Sequence, residues 1–344
     1  MAESHEEPER DRASTGGTAG LASNLAADIA SDLASGATAV SRALTGTSAS
    51  RMLVRRGFLL RKLYADVVGA DGEVLVAHLA WLRVAGIHTP YAVVERYPAG
   101  GGREVLRGRP IAGSPRRRRD GGMEYSIGIR DGRTLRLVHH APVPAWHPSD
   151  PQIGPRVHWH VAVPYARADV SWESGGAGGT RISGSVSGAG YADWVWLRLP
   201  PRLLGLRRLW WGRVHLPDRA VVFTSVDRAN GERWTRVAEW RVGGDGTGGD
   251  PVEVVADGAP PIAGPGEDSG IWTVPAPRGP VSLEPLRVLH EGEPLDVDRF
   301  PDSLERWGSR LASGATYEIR CLSRAHDEAG ATGMAVHESI RFGR

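Results

Sequence analysis

Short apolar runs joined by turn residues fill the sequence from Phe58 onward. In LYADVVGADGEVLVAHLAWLRV the runs flank Gly69-Ala70-Asp71-Gly72, and MEYSIGIRDGRTLRLVHH repeats the arrangement around Asp131-Gly132. Apolar runs separated by Gly with Asp or Asn are typical of β-hairpins. The 45 Gly and 24 Pro residues follow no period, which favours many turns over long helices. The sequence therefore predicts an all-β fold whose antiparallel strands close most easily into a barrel.

The same pattern begins again in the second half of the chain. Two consecutive prolines, Pro200-Pro201, precede it, and they cannot both belong to a central strand. We therefore predict two tandem antiparallel β-barrels or sheets, over residues 56–203 and 204–344, after an N-terminal extension of residues 1–55. One segment near the end, PDSLERWGSRL at residues 301–311, is a candidate helix.

The N-terminal extension is charged and polar at its start and rich in Ala and Ser after that. Apolar residues recur every fourth position from Leu21 to Leu33. This spacing predicts either disorder or a weak amphipathic helix, from about Leu21 to Leu44, that docks on a partner or a membrane surface. Asn24 and Asp28 interrupt the apolar residues, so the segment does not match a secretory signal. No later apolar stretch is long enough to cross a membrane, and we expect a cytoplasmic protein.

Charge and cysteine content limit the partners and compartments that this chain suits. The formal net charge is +2, from 42 basic and 40 acidic residues, so no global field attracts nucleic acid. Arg116–Arg119 form a basic run flanked by Gly and Pro, which we interpret as a solvated loop. The single cysteine, Cys321, excludes an internal disulfide and a cysteine-based zinc site, and we interpret it as a buried apolar residue. Lys62 is the only lysine.

Aromatic residues concentrate around one acid in the stretch GYADWVWLRLPPRLLGLRRLWWGRVH. Asp193 lies near Trp194, Trp196, Trp210 and Trp211. A carboxylic acid kept neutral by apolar surroundings can protonate an alkene, and indole faces attract the cation that results. Asp193 is therefore the candidate general acid. Two alternatives stay open: an Asp that hydrogen-bonds a local turn, and tryptophans that only fill a core.

Strand periodicity qualifies this picture of one aromatic cluster. Side chains alternate between the two faces of a strand, so Trp194 and Trp196 point away from the face of Asp193. Trp210 or Trp211 is then the better aromatic partner.

A pair of histidines raises a second class of site. His158 and His160 share one face of a strand, a spacing that occurs in zinc, iron and copper sites, and Glu173 or His215 could complete such a site. A two-residue match of this kind is common by chance. We therefore predict no metal, and treat both histidines as candidates for contact with substrate.

Four segments, taken in order, resemble a known family: LYAD with DGEVLVAHL, HWHVAVPYARADVSW, GYADWVW, and Trp211-Gly212-Arg213 before a strand. The chain from Phe58 to Arg344 is similar to the lipocalin-like carotenoid 1,2-hydratases, or hydroxyneurosporene synthases, and to related terpene and decalin-forming cyclases. The resemblance implies tandem lipocalin-like barrels with an apolar cavity and no cofactor. It adds Tyr191 and Arg213 to the candidate substrate-binding residues.

The same resemblance implies hydration or cyclisation of an apolar isoprenoid or polyene. In the family motif Gly-Tyr-x-Asp-x-Asn-Trp-Gly, Val195 stands here where Asn is expected and Leu197 where Gly is expected. An aliphatic group thus replaces an amide that could orient water, so hydration and cyclisation are both retained. Two further hypotheses are an enzyme that only holds the substrate in a reactive shape, as a pericyclase does, and a non-catalytic carrier of apolar ligands. The oligomeric state and the substrate are left open.

Overall fold

All of the regular structure is β-strand in the part of the chain that the structure describes. The structure is a computed structural model, and it describes residues 57–84, 87–119, 121–140, 143–148, 157–174, 183–199, 204–243, 248–257, 270–293 and 316–343. The predicted N-terminal helix and the candidate helix at 301–311 lie outside these ranges. Within them, no helix is long and apolar enough to cross a membrane.

The first sheet contains nine strands in the order β4-β3-β2-β1-β9-β8-β7-β6-β5. A further pairing between β4 and β6 closes eight of these strands into a barrel, and the short β5 adds to the edge of β6. The strands are β1 (Phe58–Gly69), β2 (Val74–Val84), β3 (Ile87–Tyr97), β4 (Glu104–Pro110), β5 (Arg116–Arg117), β6 (Met123–Ile129), β7 (Arg133–His140), β8 (Val157–Ser174) and β9 (Ser183–Leu197).

The second sheet contains eight antiparallel strands and curls without a described closing pair. Its order is β13-β12-β11-β10-β17-β16-β15-β14. The strands are β10 (Leu206–His215), β11 (Arg219–Arg228), β12 (Arg233–Arg241), β13 (Val252–Asp257), β14 (Trp272–Val274), β15 (Val281–Gly292), β16 (Thr316–Asp327) and β17 (Thr332–Phe342). The all-β prediction with two tandem barrels or sheets is therefore confirmed, whereas the residue boundaries predicted for the two domains stay a prediction.

The hairpin between β1 and β2 shows how the sequence specifies this fold locally. Val68 pairs with Val74, and the Gly69 N–H donates to the Glu73 carbonyl across the turn at 2.8 Å. Gly72 has a φ of +82°, in the left-handed region that glycine adopts without steric cost. The Gly and Asp residues that marked the turns in the sequence thus occupy the tips of real hairpins.

Alternation along the strands gives each sheet two apolar faces. In β1, Leu63, Ala65 and Val67 fill the barrel, whereas Tyr64 and Val68 point outward. The outward side chains form one core with a face of the second sheet, and a further core covers the opposite face of that sheet. Members of the shared core on the second sheet are Trp211, Ala220, Val222, Ala238, Trp240, Leu289, Leu322 and Val336.

Buried ion pairs also join the two sheets. Asp66 of β1 accepts two hydrogen bonds from Arg213 of β10, and Glu95 of β3 accepts one from Arg320 of β16. The Arg213 and Asp66 side chains have no exposed surface. Because breaking a buried pair leaves an uncompensated charge, these contacts fix the relative placement of the faces between which the candidate site lies.

Candidate functional site

A cavity of about 190 Å³ lies between the two sheets. Its walls come from β1, β8 and β9 on one side and from β10, β11, β12 and β17 on the other, and most of the lining side chains are aliphatic or aromatic. Leu197 at the end of β9 and Leu206 at the start of β10 place the cavity near one end of the interface. Three ionisable side chains face it besides the tyrosine on β1: Lys62, Asp193 and Glu338.

Asp193 is 4% exposed, and neutral groups supply both of its side-chain hydrogen bonds. The Trp159 indole N–H donates to Oδ2 at 2.9 Å, and the Tyr191 hydroxyl donates to the same oxygen at 2.9 Å. No described cation lies within ion-pair distance of this carboxyl group. The other oxygen, Oδ1, is therefore the atom that can carry a proton.

Burial raises the pKa of Asp193 from its ordinary value to about 6. The hydrogen bonds from Trp159 and Tyr191 and the charge of Lys62 oppose this rise, and the negative charge of Glu338 adds to it. A buried carboxyl group that lacks a cationic partner holds its proton more tightly, because desolvation disfavours the carboxylate. Asp193 is thus a buried, protonatable carboxyl group in the middle of a strand rather than a turn-capping residue.

Aromatic side chains surround the acid from both sheets. Trp211 lines the cavity, and its ring centroid lies 4.8 Å from that of Tyr64 and 5.3 Å from that of Tyr191. Trp159 and Trp234 also line the cavity. The Trp234 indole N–H is buried and has no hydrogen-bond partner among the described residues, so it can donate to a ligand. The sequence left open whether Trp210 or Trp211 is the aromatic partner of Asp193. In the structure, Trp211 lines the same cavity as Asp193.

The other predicted tryptophans lie elsewhere. Trp194 and Trp196 pack with the core of the first barrel, on the face of β9 opposite Asp193, and their rings lie 5.5 Å apart. Trp210 points into the core on the far face of the second sheet. This arrangement follows from the two-residue alternation of strands. These three side chains therefore do not line the cavity, and a ligand bound there would not contact them directly.

Arg213 does not line the cavity. It is fully buried and donates to Asp66 through Nε at 3.2 Å and through Nη2 at 2.5 Å. Its Nη1 lies 3.1 Å from Nδ1 of His215. Asp218 and Asp227, which lie closer to Arg213 along the chain, pair instead with Arg278 and Arg233.

The two predicted histidines lie on the other face of β8 from Trp159. His158 is exposed, and His160 stacks on His147 with ring centroids 3.8 Å apart. Burial lowers the pKa of His160 to about 4. Neither lines the cavity, and among the described residues no three His, Cys, Asp or Glu side chains are arranged to hold a metal ion.

Sequence reasoning did not select three cavity residues: Lys62, Trp159 and Glu338. Lys62 carried a signal, because it is the only lysine in the chain. Trp159 stands between the two histidines, and alternation places it on the face opposite theirs. No local sequence pattern marked Glu338. It lies on β17, far from β1 and β9 along the chain, and the pairing of β17 with β10 brings it to the cavity.

Comparison with known proteins finds the fold among solved structures. No family model matches the chain, and no curated protein is significantly similar to it. The crystal structure of CghA with Sch210972 has a TM-score of 0.53 and 12% identity, covering 84% of this chain and 89% of that one. A putative AttH from Nitrosomonas europaea has a TM-score of 0.52 and 14% identity, covering 83% and 93%. This likeness shows that the chain has the tandem lipocalin-like fold that the resemblance implied.

Proposed function

We propose that this chain is a cofactor-independent hydratase or cyclase that protonates an alkene of an apolar isoprenoid or polyene substrate. The observation that carries the proposal is the environment of Asp193: a buried carboxyl group in an apolar cavity, hydrogen-bonded only by neutral donors. An unactivated alkene needs a proton donor of this kind, and the tertiary cation that follows must be kept from bulk water.

In the proposed reaction, Asp193 transfers the proton on Oδ1 to one alkene carbon and becomes a carboxylate. Trp159 and Tyr191 keep their hydrogen bonds to Oδ2 and stabilise the new negative charge. The positive charge forms on the neighbouring carbon, where the face of Trp211 can attract it by about 0.5 to 2 kcal/mol. Attack by a water molecule gives an alcohol, whereas attack by an internal alkene gives a ring. In either case a proton lost at the end returns the carboxyl group to its starting state.

The fold comparison supports this proposal only in general terms. CghA was solved with the compound Sch210972, which is consistent with this fold accepting a small organic ligand. The apolar walls of the cavity agree with that type of ligand. We retain hydration and cyclisation together, because Val195 faces the cavity where the family motif has an amide.

The test is conversion of an acyclic isoprenoid polyene in D₂O by wild-type protein and by Asp193→Asn. Myrcene and farnesene, which are short acyclic isoprenoids, suit a cavity of about 190 Å³ as first probes, with products analysed by mass spectrometry. We expect a product with one non-exchangeable deuterium, and a rate at least ~100-fold lower for Asp193→Asn. Asp169→Asn is the matched control, because Asp169 lies on the same sheet, is half-exposed and pairs with His140 outside the cavity.

Two results would contradict the proposal. Conversion that survives Asp193→Asn would indicate an enzyme that only holds the substrate in a reactive shape. Tight binding of the polyene without conversion would indicate a carrier.

The predicted cytoplasmic location and the predicted membrane contact of the N-terminal extension stay predictions.

A further inference from the structure

Lys62 lines the cavity, and the proposed reaction gives it no role. The chain contains a single lysine, and its many described ion pairs are made by arginine or histidine. Lys62 lies on the outward face of β1, two residues before Tyr64, and lines the same cavity as Asp193. We infer that Lys62 binds an anionic oxygen of the substrate, so that the substrate is a polyene with an acidic head group. This inference rests on the proposed function of the cavity.

The two carboxyl groups that face Lys62 already have other partners. Asp193 accepts hydrogen bonds from Trp159 and Tyr191, and Glu338 accepts one from Arg320 at 2.5 Å. No described carboxylate lies within ion-pair distance of the Lys62 ammonium group. The ammonium group of Lys62 has three N–H donors and belongs to a half-buried side chain that lines the cavity. An oxygen anion on the ligand would satisfy it.

The charges of the residues around Lys62 permit an anion to bind beside it. Arg320 holds three carboxylates at once, those of Glu95, Glu318 and Glu338, so Glu338 is drawn toward the arginine. Burial raises the pKa of both Asp193 and Glu338, and the charge of Lys62 opposes the rise in each case. When Asp193 holds its proton, Lys62 faces only one charged carboxylate, and that one is already paired.

An acidic head group also agrees with the rest of the lining. A pure hydrocarbon has no atom that can accept a hydrogen bond from Lys62 or from the buried Trp234 indole N–H. A carboxylate or an enolised dicarbonyl has such oxygens, and its hydrocarbon chain can lie against Trp211 and the aliphatic wall. Lys62 is opposite Val195 in the sheet register, and the next residue pair on the same face of the sheet is Tyr64 with Asp193. The head group would therefore be held next to the acid that acts on the chain.

The experiment compares ligands that share a hydrocarbon chain and differ in the head group. Binding of octanoate, octanol and octanoyl dimedone, an enolic acid, is measured by calorimetry at about pH 8, where carboxylic acids are ionised. We expect wild-type protein to bind at least one of the two acids ~10-fold or more tightly than octanol, since a charge-assisted hydrogen bond forms only with the acid. Whichever acid binds more tightly identifies the source of the anionic oxygen.

Three variants assign this preference to Lys62. Lys62→Met should lose it and favour octanol, whereas Lys62→Arg should keep it. Arg61→Met is the matched control, because Arg61 neighbours Lys62 on the strand but lies over Trp81 and Trp194 on the other face, and it should bind as the wild type does.

An equal or greater affinity of the wild type for octanol, an unchanged preference in Lys62→Met, or no binding of any probe would overturn the inference. None of these results depends on turnover. Loss of deuterium incorporation in Asp193→Asn with equal binding of acid and alcohol would keep the proposed function and reject only the acidic head group.

Discussion

Two buried aspartates on neighbouring strands differ in the charge of their hydrogen-bond partners. In the register of β1 and β9, Asp66 is opposite Tyr191 and Asp193 is opposite Tyr64. Both aspartates point toward the second sheet, and both are almost fully buried. Asp66 meets a guanidinium group, and Asp193 meets an indole N–H and a phenol. Asp66 is therefore ion-paired across the two sheets, whereas Asp193 faces the cavity with no described cation within ion-pair distance.

The contrast teaches that burial alone does not make an acid catalytic. A guanidinium group stays protonated under all ordinary conditions, so Asp66 has a permanent counter-ion. Burial raises the pKa of both carboxyl groups; the charge of Arg213 is the main opposing influence at Asp66, and hydrogen bonds from neutral donors are the main opposing influence at Asp193. The choice of partner separates an ion-paired region around Arg213 from the cavity region around Asp193.

Loss of the arginine should have the largest effect on stability. Arg213→Met leaves Asp66 buried without a cation, and we expect the free energy of unfolding to fall by about 3 to 5 kcal/mol. Denaturant unfolding followed by far-UV circular dichroism measures this change. The double variant Asp66→Leu with Arg213→Met should recover much of the loss, because an apolar pair leaves no buried charge. If Arg213→Met is as stable as the wild type, the claim that the buried pair of Arg213 and Asp66 stabilises the fold is wrong.

Replacing the second aspartate should have a smaller effect, of opposite sign, that depends on pH. The pKa of Asp193 is raised in the folded state to about 6. The stability that Asp193 contributes is therefore present at low pH and is lost as the pH rises through about 6. The asparagine carbonyl can still accept both hydrogen bonds. We expect Asp193→Asn to gain stability relative to the wild type between pH ~4 and ~8, by about 3 kcal/mol at most.

Thermal unfolding of the two proteins across this pH range measures the difference. Asp169→Asn provides the control for an exposed aspartate on the same sheet. A stability difference that stays constant with pH would show that Asp193 does not titrate in this range.

Replacement of Glu338, whose carboxylate lines the same cavity as Asp193, should have the smallest effect, which is a shift in the pKa of Asp193. The charge of Glu338 adds to the rise in the pKa of Asp193. Glu338→Gln should therefore lower that pKa, which moves the alkaline limit of activity to a lower pH. The infrared carbonyl band of the protonated Asp193 side chain, isolated by subtracting the spectrum of an Asp193→Asn variant in the same background, provides a readout that needs no substrate. A midpoint that moves upward in Glu338→Gln would contradict this coupling.

The fold could be predicted because its determinants are local. Gly69 to Gly72 and the alternating runs around them specify hairpins from neighbouring residues alone. Asp193 could be singled out because four tryptophans lie close to it in the sequence, although only Trp211 of those four lines the cavity. Alternation further separated Trp194 and Trp196 from the face of the acid.

The partners at the interface were not predictable from the sequence. Arg213 finds Asp66 at a separation of 147 residues, although carboxylates lie much closer to it along the chain. Glu338 reaches the cavity from the last strand, and only the packing of two sheets brings it near Lys62. Long-range pairing of this kind depends on register and curvature, which the periodicity of a single strand does not specify.

The most direct test of the account is the titration of Asp193 itself. Infrared difference spectra between wild-type protein and Asp193→Asn isolate the carbonyl stretch of the protonated carboxyl group as the pH is varied. We predict a band that is present at low pH and disappears with a midpoint near pH 6, because burial without a cation raises the pKa to about 6. A carboxyl group already fully ionised at pH ~4, close to the ordinary value for aspartate, would contradict the central claim.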